Sequence, residues 1–173
     1  ERAHRQVWYR RSIEADAAQL SEGKHLWLHF EGSDFHTKVW VNGQYVGDHR
    51  GGYARFSFDI TRFVKAKENE IVVKVDSFDP QQPRGKQRWV KDSFGCWYVQ
   101  TSGIWKTVWM EYVPEIYLNQ VKMTPLLTDS SLELTYDVVL PEEQRDGSVE
   151  IEAEITFDGI QISRTRMAVL GRS

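Results

Sequence analysis

A chain of 173 residues with 40 % hydrophobic residues, among them 7 Trp, 7 Tyr and 8 Phe, can bury one large core or two small ones and is too aromatic to be disordered. The formal net charge of −3 gives no global reason to expect nucleic acid or an anionic membrane as a partner, and no apolar run approaches the ~20 residues that span a bilayer. The single cysteine, Cys96, excludes an internal disulfide and a Cys-rich zinc site.

The chain opens on charged Glu1-Arg2-Ala3-His4-Arg5, which does not read as a signal peptide, and the compartment stays undetermined. Glu14 to Leu20 is the only helical candidate, and it is short. Leu26, Leu28 and Phe30 then alternate with Trp27, His29 and Glu31. Asn42-Gly43 lies between two apolar-alternating runs and predicts a two-residue hairpin, because both turn residues need positive φ. Ala54, Phe56, Phe58 and Ile60 alternate with Tyr53, Arg55, Ser57 and Asp59, and Ile71, Val73 and Val75 with Val72, Lys74 and Asp76. Ile104, Val108 and Met110 share a phase in the next run. Such period-two patterning marks half-buried antiparallel strands, so an all-β fold is expected.

A boundary falls near Val113-Pro114-Glu115, after which strands are expected over Ile116 to Thr124, Leu132 to Leu140 and Val149 to Phe157. Asp158-Gly159 makes another tight hairpin into Ile160-Gln161-Ile162. The remaining length, about 60 residues against the ~100 of an immunoglobulin-like sandwich, implies either a truncated module or a small one, and truncation is the favoured reading.

Between Ser77 and Gly103 the alternation stops. Loops beyond ~12–15 residues are uncommon in compact domains and are more often functional or disordered. One that carries Trp89, Phe94, Trp97 and Tyr98 is not disordered in composition, so this is where a site is expected.

Six landmarks in order carry a resemblance: Val7-Trp8-Tyr9-Arg10-Arg11, Val39 to Gly43, Gly47 to Tyr53, Phe56 to Thr61, Asn69 to Val75, and Thr101 to Glu111. Together they resemble the N-terminal sugar-binding β-sandwich of glycoside hydrolase family 2, the group of β-galactosidases, β-glucuronidases and β-mannosidases. The resemblance implies a jelly-roll-like, galactose-binding-domain-like sandwich over residues 1–113, lacking its first strands, and the start of an immunoglobulin-like sandwich over 114–173. It also implies a parent that hydrolyses β-linked glycosides with retention, through two glutamates of a catalytic barrel that this chain does not contain. The chain would then be a non-catalytic sugar-binding and scaffold region whose partners are a carbohydrate and that barrel. A stand-alone carbohydrate-binding module and a purely structural assembly domain are the alternatives. Oligomerisation is left open.

Sugar recognition needs a flat aromatic ring against the C–H face of a pyranose and planar polar groups for paired hydroxyls. Trp89, Trp97 and Tyr98, with Arg88, Gln100 and Asp92, offer that chemistry within one loop. Trp97 and Tyr98 could equally plug the end of the sandwich or face the barrel. Glu150, Glu152 and Glu154 lie on one strand face at about 7 Å spacing, but a row of carboxylates on one strand does not flank a bond from two sides. His25 and His29 are roughly 13 Å apart along a strand, too far to share a metal. His36 has no carboxylate at ligand spacing, and His49 is expected to hydrogen-bond within its turn. Asp76 and Asp79 lack the spacing of an EF-hand, Cys96 lacks a neighbouring base, and the basic run Arg84 to Lys91 stands alone in an acidic chain. No cofactor and no metal are expected.

Overall fold

In the computed structural model, which describes residues 4–141 and 146–170, the chain separates into two units, Glu1–Val113 and Pro114–Ser173. The first runs β1 (Gln6–Ile13), α1 (Ala17–Ser21), β2 (His25–Phe30), β3 (Ser33–Asp34), β4 (His36–Val41), β5 (Gln44–Arg50), β6 (Phe56–Asp59), β7 (Asn69–Asp76), β8 (Gly103–Ile104) and β9 (Val108–Val113). The second holds β10 (Tyr117–Leu126), β11 (Ser131–Val139), β12 (Asp146–Phe157) and β13 (Ile160–Leu170).

The first unit is a β-sandwich. One antiparallel sheet has the order β1-β7-β4-β5 and the other β6-β2-β9, while β3 pairs with β8. Leu26, Leu28 and Phe30 of β2 pack in one cluster with Val39 and Val41 of β4 and Ile71, Val73 and Val75 of β7. These are the alternate residues of each strand, so the period-two pattern places one face of every central strand in the core.

Asn42 and Gly43 have φ of 52° and 78°, and Val41 pairs with Gln44, so the β4–β5 hairpin has the expected two-residue turn. Asn42 does more than turn the chain. Its side-chain amide donates to the Phe63 carbonyl and to Asn69 Oδ1, both at 2.8 Å, while its Oδ1 accepts from the Glu70 amide. Asn69, 1 % exposed, closes a reciprocal pair with the Lys65 backbone. Two side chains thus take up backbone groups of Phe63, Lys65 and Glu70 at the end of the sandwich.

Three local expectations change. The helix starts at Ala17 rather than Glu14, because Asp16 caps it by accepting from the Ala18 amide at 2.9 Å. Ala54 is exposed, since β6 begins only at Phe56. Val108 and Met110 lie on the inward phase but stay 38 % and 37 % exposed. They line an open cavity of about 560 Å³ with Tyr9, Ile13, Leu28 and Phe30, on the flank where, among the described residues, β9 pairs with β2 alone.

His49 also departs from expectation. Its ring stacks on Phe56 at 4.1 Å and 12°, and its buried Nε2 has no hydrogen-bond partner among the described residues. Burial pushes its pKa below the ordinary histidine value, with Asp48 opposing. The unfolded chain then binds a proton near pH 6.5 that the folded chain refuses, so stability rises with pH up to that point and falls below it. Urea unfolding at pH 5 and pH 8 is expected to show this loss in the native chain and a smaller one in His49→Phe, which keeps the stack. Equal losses in both would rule out His49 as the source.

In the second unit β10 pairs with β11 and β12 with β13, giving two antiparallel hairpins. Asp158 and Gly159, with φ of 49° and 78°, make the tight turn between β12 and β13.

Candidate functional site

The segment between β7 and β8 has no strand of its own, yet it is built on internal hydrogen bonds. The Arg88 amide donates to the Tyr98 carbonyl at 2.7 Å and the Tyr98 amide to the Lys86 carbonyl at 2.8 Å, so the two arms of the loop run together. At its tip Trp89 meets Phe94 at 5.4 Å and Trp97 at 4.8 Å, both edge to face.

Asp34 ties this loop to the sandwich. Its carboxylate is 2 % exposed and accepts from the Thr101 hydroxyl at 2.5 Å, the Gln87 amide at 3.3 Å and the Gln82 amide at 3.4 Å. Gln87 also takes the Thr101 backbone N–H at 2.8 Å and donates to the Tyr53 hydroxyl at 3.0 Å. A Cβ on Gly52 would lie 2.9 Å from Asp34 Oδ1, so a glycine is needed at this position for close approach. The Asp34–Phe35 peptide is cis.

Above this network is a cavity of about 230 Å³ whose walls include Arg5, Gln82, Arg84, Gln87, Trp89 and Gln100. Of the residues expected to touch sugar, Trp89 and Gln100 line it, and Trp97 backs Trp89. Arg88 turns away and donates to Ser93 at 2.9 Å. Tyr98 is 61 % exposed and Asp92 is exposed, and neither lines the cavity. Nothing local in the sequence marks Asp34 or Arg5, which come to the loop only through strand pairing, or singles out Gln82 within the loop. The signal that could have pointed there is the number of amide side chains in the loop: Gln82, Gln87 and Gln100 all line the cavity.

The remaining ionisable groups read as solvated or structural. Glu152 is gripped by Arg164 and Arg166, whose hydrogen bonds hold its carboxyl below the usual range, the opposite of what a general acid needs. His36 reaches Asp48 at 2.8 Å and His25 reaches Asp59 at 2.8 Å, pairings made across strands rather than along them. Among the described residues no three His, Cys, Asp or Glu side chains gather as a metal site, and Cys96 is exposed.

Residues 2–114 match the family model described as glycosyl hydrolases family 2, sugar binding domain. A putative β-glucuronidase of Formosa agariphila is 34 % identical over 135 residues, covering 77 % of this chain and 15 % of that protein. A β-galactosidase of Thermoanaerobacter pseudethanolicus is 32 % identical over 162 residues, covering 92 % of this chain and 19 % of its own length. The chain therefore spans less than a fifth of either relative. Among solved structures, a β-glycosidase from Bacteroides vulgatus superposes with a TM-score of 0.70 at 20 % identity, over 94 % of this chain and 20 % of that one, which shows a shared fold. From six ordered landmarks, a two-sheet sandwich and a family match across the first unit, the chain belongs to glycosyl hydrolase family 2, and its first unit is that family's sugar-binding domain.

Proposed function

We propose that this chain serves as the non-catalytic sugar-binding and scaffold region of a larger β-glycosidase, acting on β-galactoside- or β-glucuronide-type substrates. The observation that carries the reading is the cavity beside β8, where Trp89 supplies an apolar wall and amide and hydroxyl side chains supply planar and bent hydrogen-bonding groups. The paired carboxylates that break the glycosidic bond belong to a barrel outside these residues, and the hairpins from Tyr117 onward begin an immunoglobulin-like module between the two. A sugar ring would lie on Trp89 with Gln100 reaching its hydroxyls, while Trp97 keeps Trp89 upright.

Calorimetric titration with β-galactosides, β-glucuronides and β-mannosides tests this. Saturable heat with one class is expected, and Trp89→Ala should weaken that binding about tenfold, or 1.4 kcal/mol. Affinity unchanged in Trp89→Ala, in a sample that remains folded, would remove the ring from the site. A second reading is favoured by the 61 % exposure of Tyr98 and 57 % of Trp89: the loop tip packs against another domain of the parent. That reading gives no heat with any sugar.

A further inference from the structure

The outer face of the four-stranded sheet carries an aromatic row that the core does not use. Trp8 of β1 and Trp40 of β4 alternate with Tyr9, Val39 and Val41, which pack inward, and Tyr45 of β5 stands opposite Trp40 in the register. The Trp8 and Trp40 rings are 5.8 Å apart and within 23° of parallel, and the Trp40 and Tyr45 rings are 5.7 Å apart. Strand β7 runs between β1 and β4, and strands two places apart lie about 10 Å from one another, so the two indoles lean together over β7. Trp8 stays 57 % and Tyr45 50 % exposed, which leaves each about half its surface for a ligand.

Both end rings are fixed through their polar atoms. Trp8 Nε1 donates to Gln6 Oε1 at 3.1 Å, and Gln6 Nε2 donates to Asp76 Oδ1 at 2.7 Å. Lys74 Nζ, 2.9 Å from Asp76 Oδ2, lies 5.8 Å from the centre of the Trp8 ring. The Tyr45 hydroxyl donates to Asp48 Oδ1 at 2.6 Å, while Asp48 Oδ2 is 2.8 Å from His36 Nε2. Exposed aromatic rings held in this way lose little entropy on binding.

Charge and size narrow the ligand. Arg10 pairs with Glu70, Lys74 with Asp76, and Lys38 stands opposite Asp48, so the charges of this face are matched and a neutral ligand is favoured. Four strands with the 6-residue length of β4 make a face of roughly 300–400 Å², about half of the ~800 Å² that each partner gives to a stable protein interface. A pyranose combines what such a surface takes, an apolar C–H face for the rings and hydroxyl edges for the paired charges beside them.

We propose that this face is a second carbohydrate site, which takes a short stretch of a neutral, equatorially linked oligosaccharide on Trp8, Trp40 and Tyr45. Equatorial linkage keeps successive rings in one ribbon that reaches all three side chains, whereas a single ring covers only part of the row. None of the three residues lines the cavity beside β8, so the site stands apart from the sugar-binding reading above.

The test is calorimetry of the full 173-residue chain with cellohexaose, mannohexaose and xylohexaose, and with methyl β-glucoside as the single-ring control. At least one hexaose should bind about tenfold more tightly than the methyl glycoside, with an affinity that added NaCl leaves unchanged. Trp8→Ala and Tyr45→Ala should each weaken hexaose binding about tenfold. Neither residue belongs to the core cluster, so both variants should unfold cooperatively. Hexaose binding that survives in Trp89→Ala while methyl glycosides give no heat would uphold this face and overturn the cavity reading. Hexaose binding lost in Trp89→Ala and kept in Trp8→Ala and Tyr45→Ala would do the reverse. No heat with any hexaose from a folded sample would overturn the proposal. Self-association of the native chain in sedimentation runs without sugar, abolished by Trp8→Ala, would assign the face to a second copy and overturn it as well.

Discussion

Replacing Asp34 by Ala is expected to free the loop from Ser77 to Ser102 while β2, β4 and β7 keep their packing. The carboxylate is the acceptor shared by Thr101, Gln87 and Gln82, and among the described residues Gln87 alone of the three has another, the Tyr53 hydroxyl. Removing it strands the Thr101 hydroxyl and the Gln82 amide in a half-buried place and leaves Gln87 only its bond to Tyr53, which costs about 2–3 kcal/mol, most of it from the short charge-assisted bond to Thr101. The core cluster contains no residue of the loop, so unfolding should remain cooperative. What changes is local opening: trypsin cleavage at Arg84, Lys86, Arg88 or Lys91 should become faster by about tenfold or more, and sugar binding should vanish with the cavity. Asp34→Asn retains one acceptor oxygen but turns an N–H₂ toward existing donors, so an intermediate loss of about 1–2 kcal/mol is expected. A loop that stays protected in Asp34→Ala, with unchanged affinity for sugar, would show that the loop is held by its own internal bonds alone.

Gly103→Ala should be the most damaging small substitution in the first unit. Gly103 has φ of 74°, and a Cβ there would overlap the hydroxyl of Tyr9. The left-handed conformation costs a residue with a side chain about 1–2 kcal/mol. Overpacking against Tyr9 adds about 1–3 kcal/mol. Nor can the chain easily shift, since the Gly103 amide donates to Ser77 Oγ at 2.9 Å and the Ile104 amide donates to the Tyr9 hydroxyl at 3.1 Å. Denaturant unfolding should therefore show a loss of about 3 kcal/mol in Gly103→Ala. Pairing it with Tyr9→Phe, which clears the space, should recover part of that loss as a coupling of about 1 kcal/mol. Stability within about 0.5 kcal/mol of the native chain would mean that the loop exit relaxes at no cost.

The same glycine shows how far the sequence could be read. Its place after Thr101-Ser102 suggests a sharp turn, which φ bears out, but its second duty toward Tyr9 depends on a residue more than ninety positions away. Asn42 repeats the lesson: the turn is local and legible, whereas its bonds to Phe63, Asn69 and Glu70 exist only after β4 and β7 have paired.

By itself the sequence determined the all-β class, the strands of both units, the two tight hairpins, the family and the loop in which to look for a site. The family came from the resemblance of six ordered motifs; the rest is written in short-range chemistry: alternation with period two, turn residues that tolerate positive φ, and clustered aromatics where alternation stops. Only the tertiary structure decided which side chains share the cavity. It kept Trp89 and Gln100, turned Arg88 and Tyr98 away, and brought Arg5 and Asp34 to Gln82, Gln87 and Thr101 across separations of tens of residues. Strand pairing and sheet packing set those distances, and a buried carboxylate acquires its meaning from what stands opposite it in space.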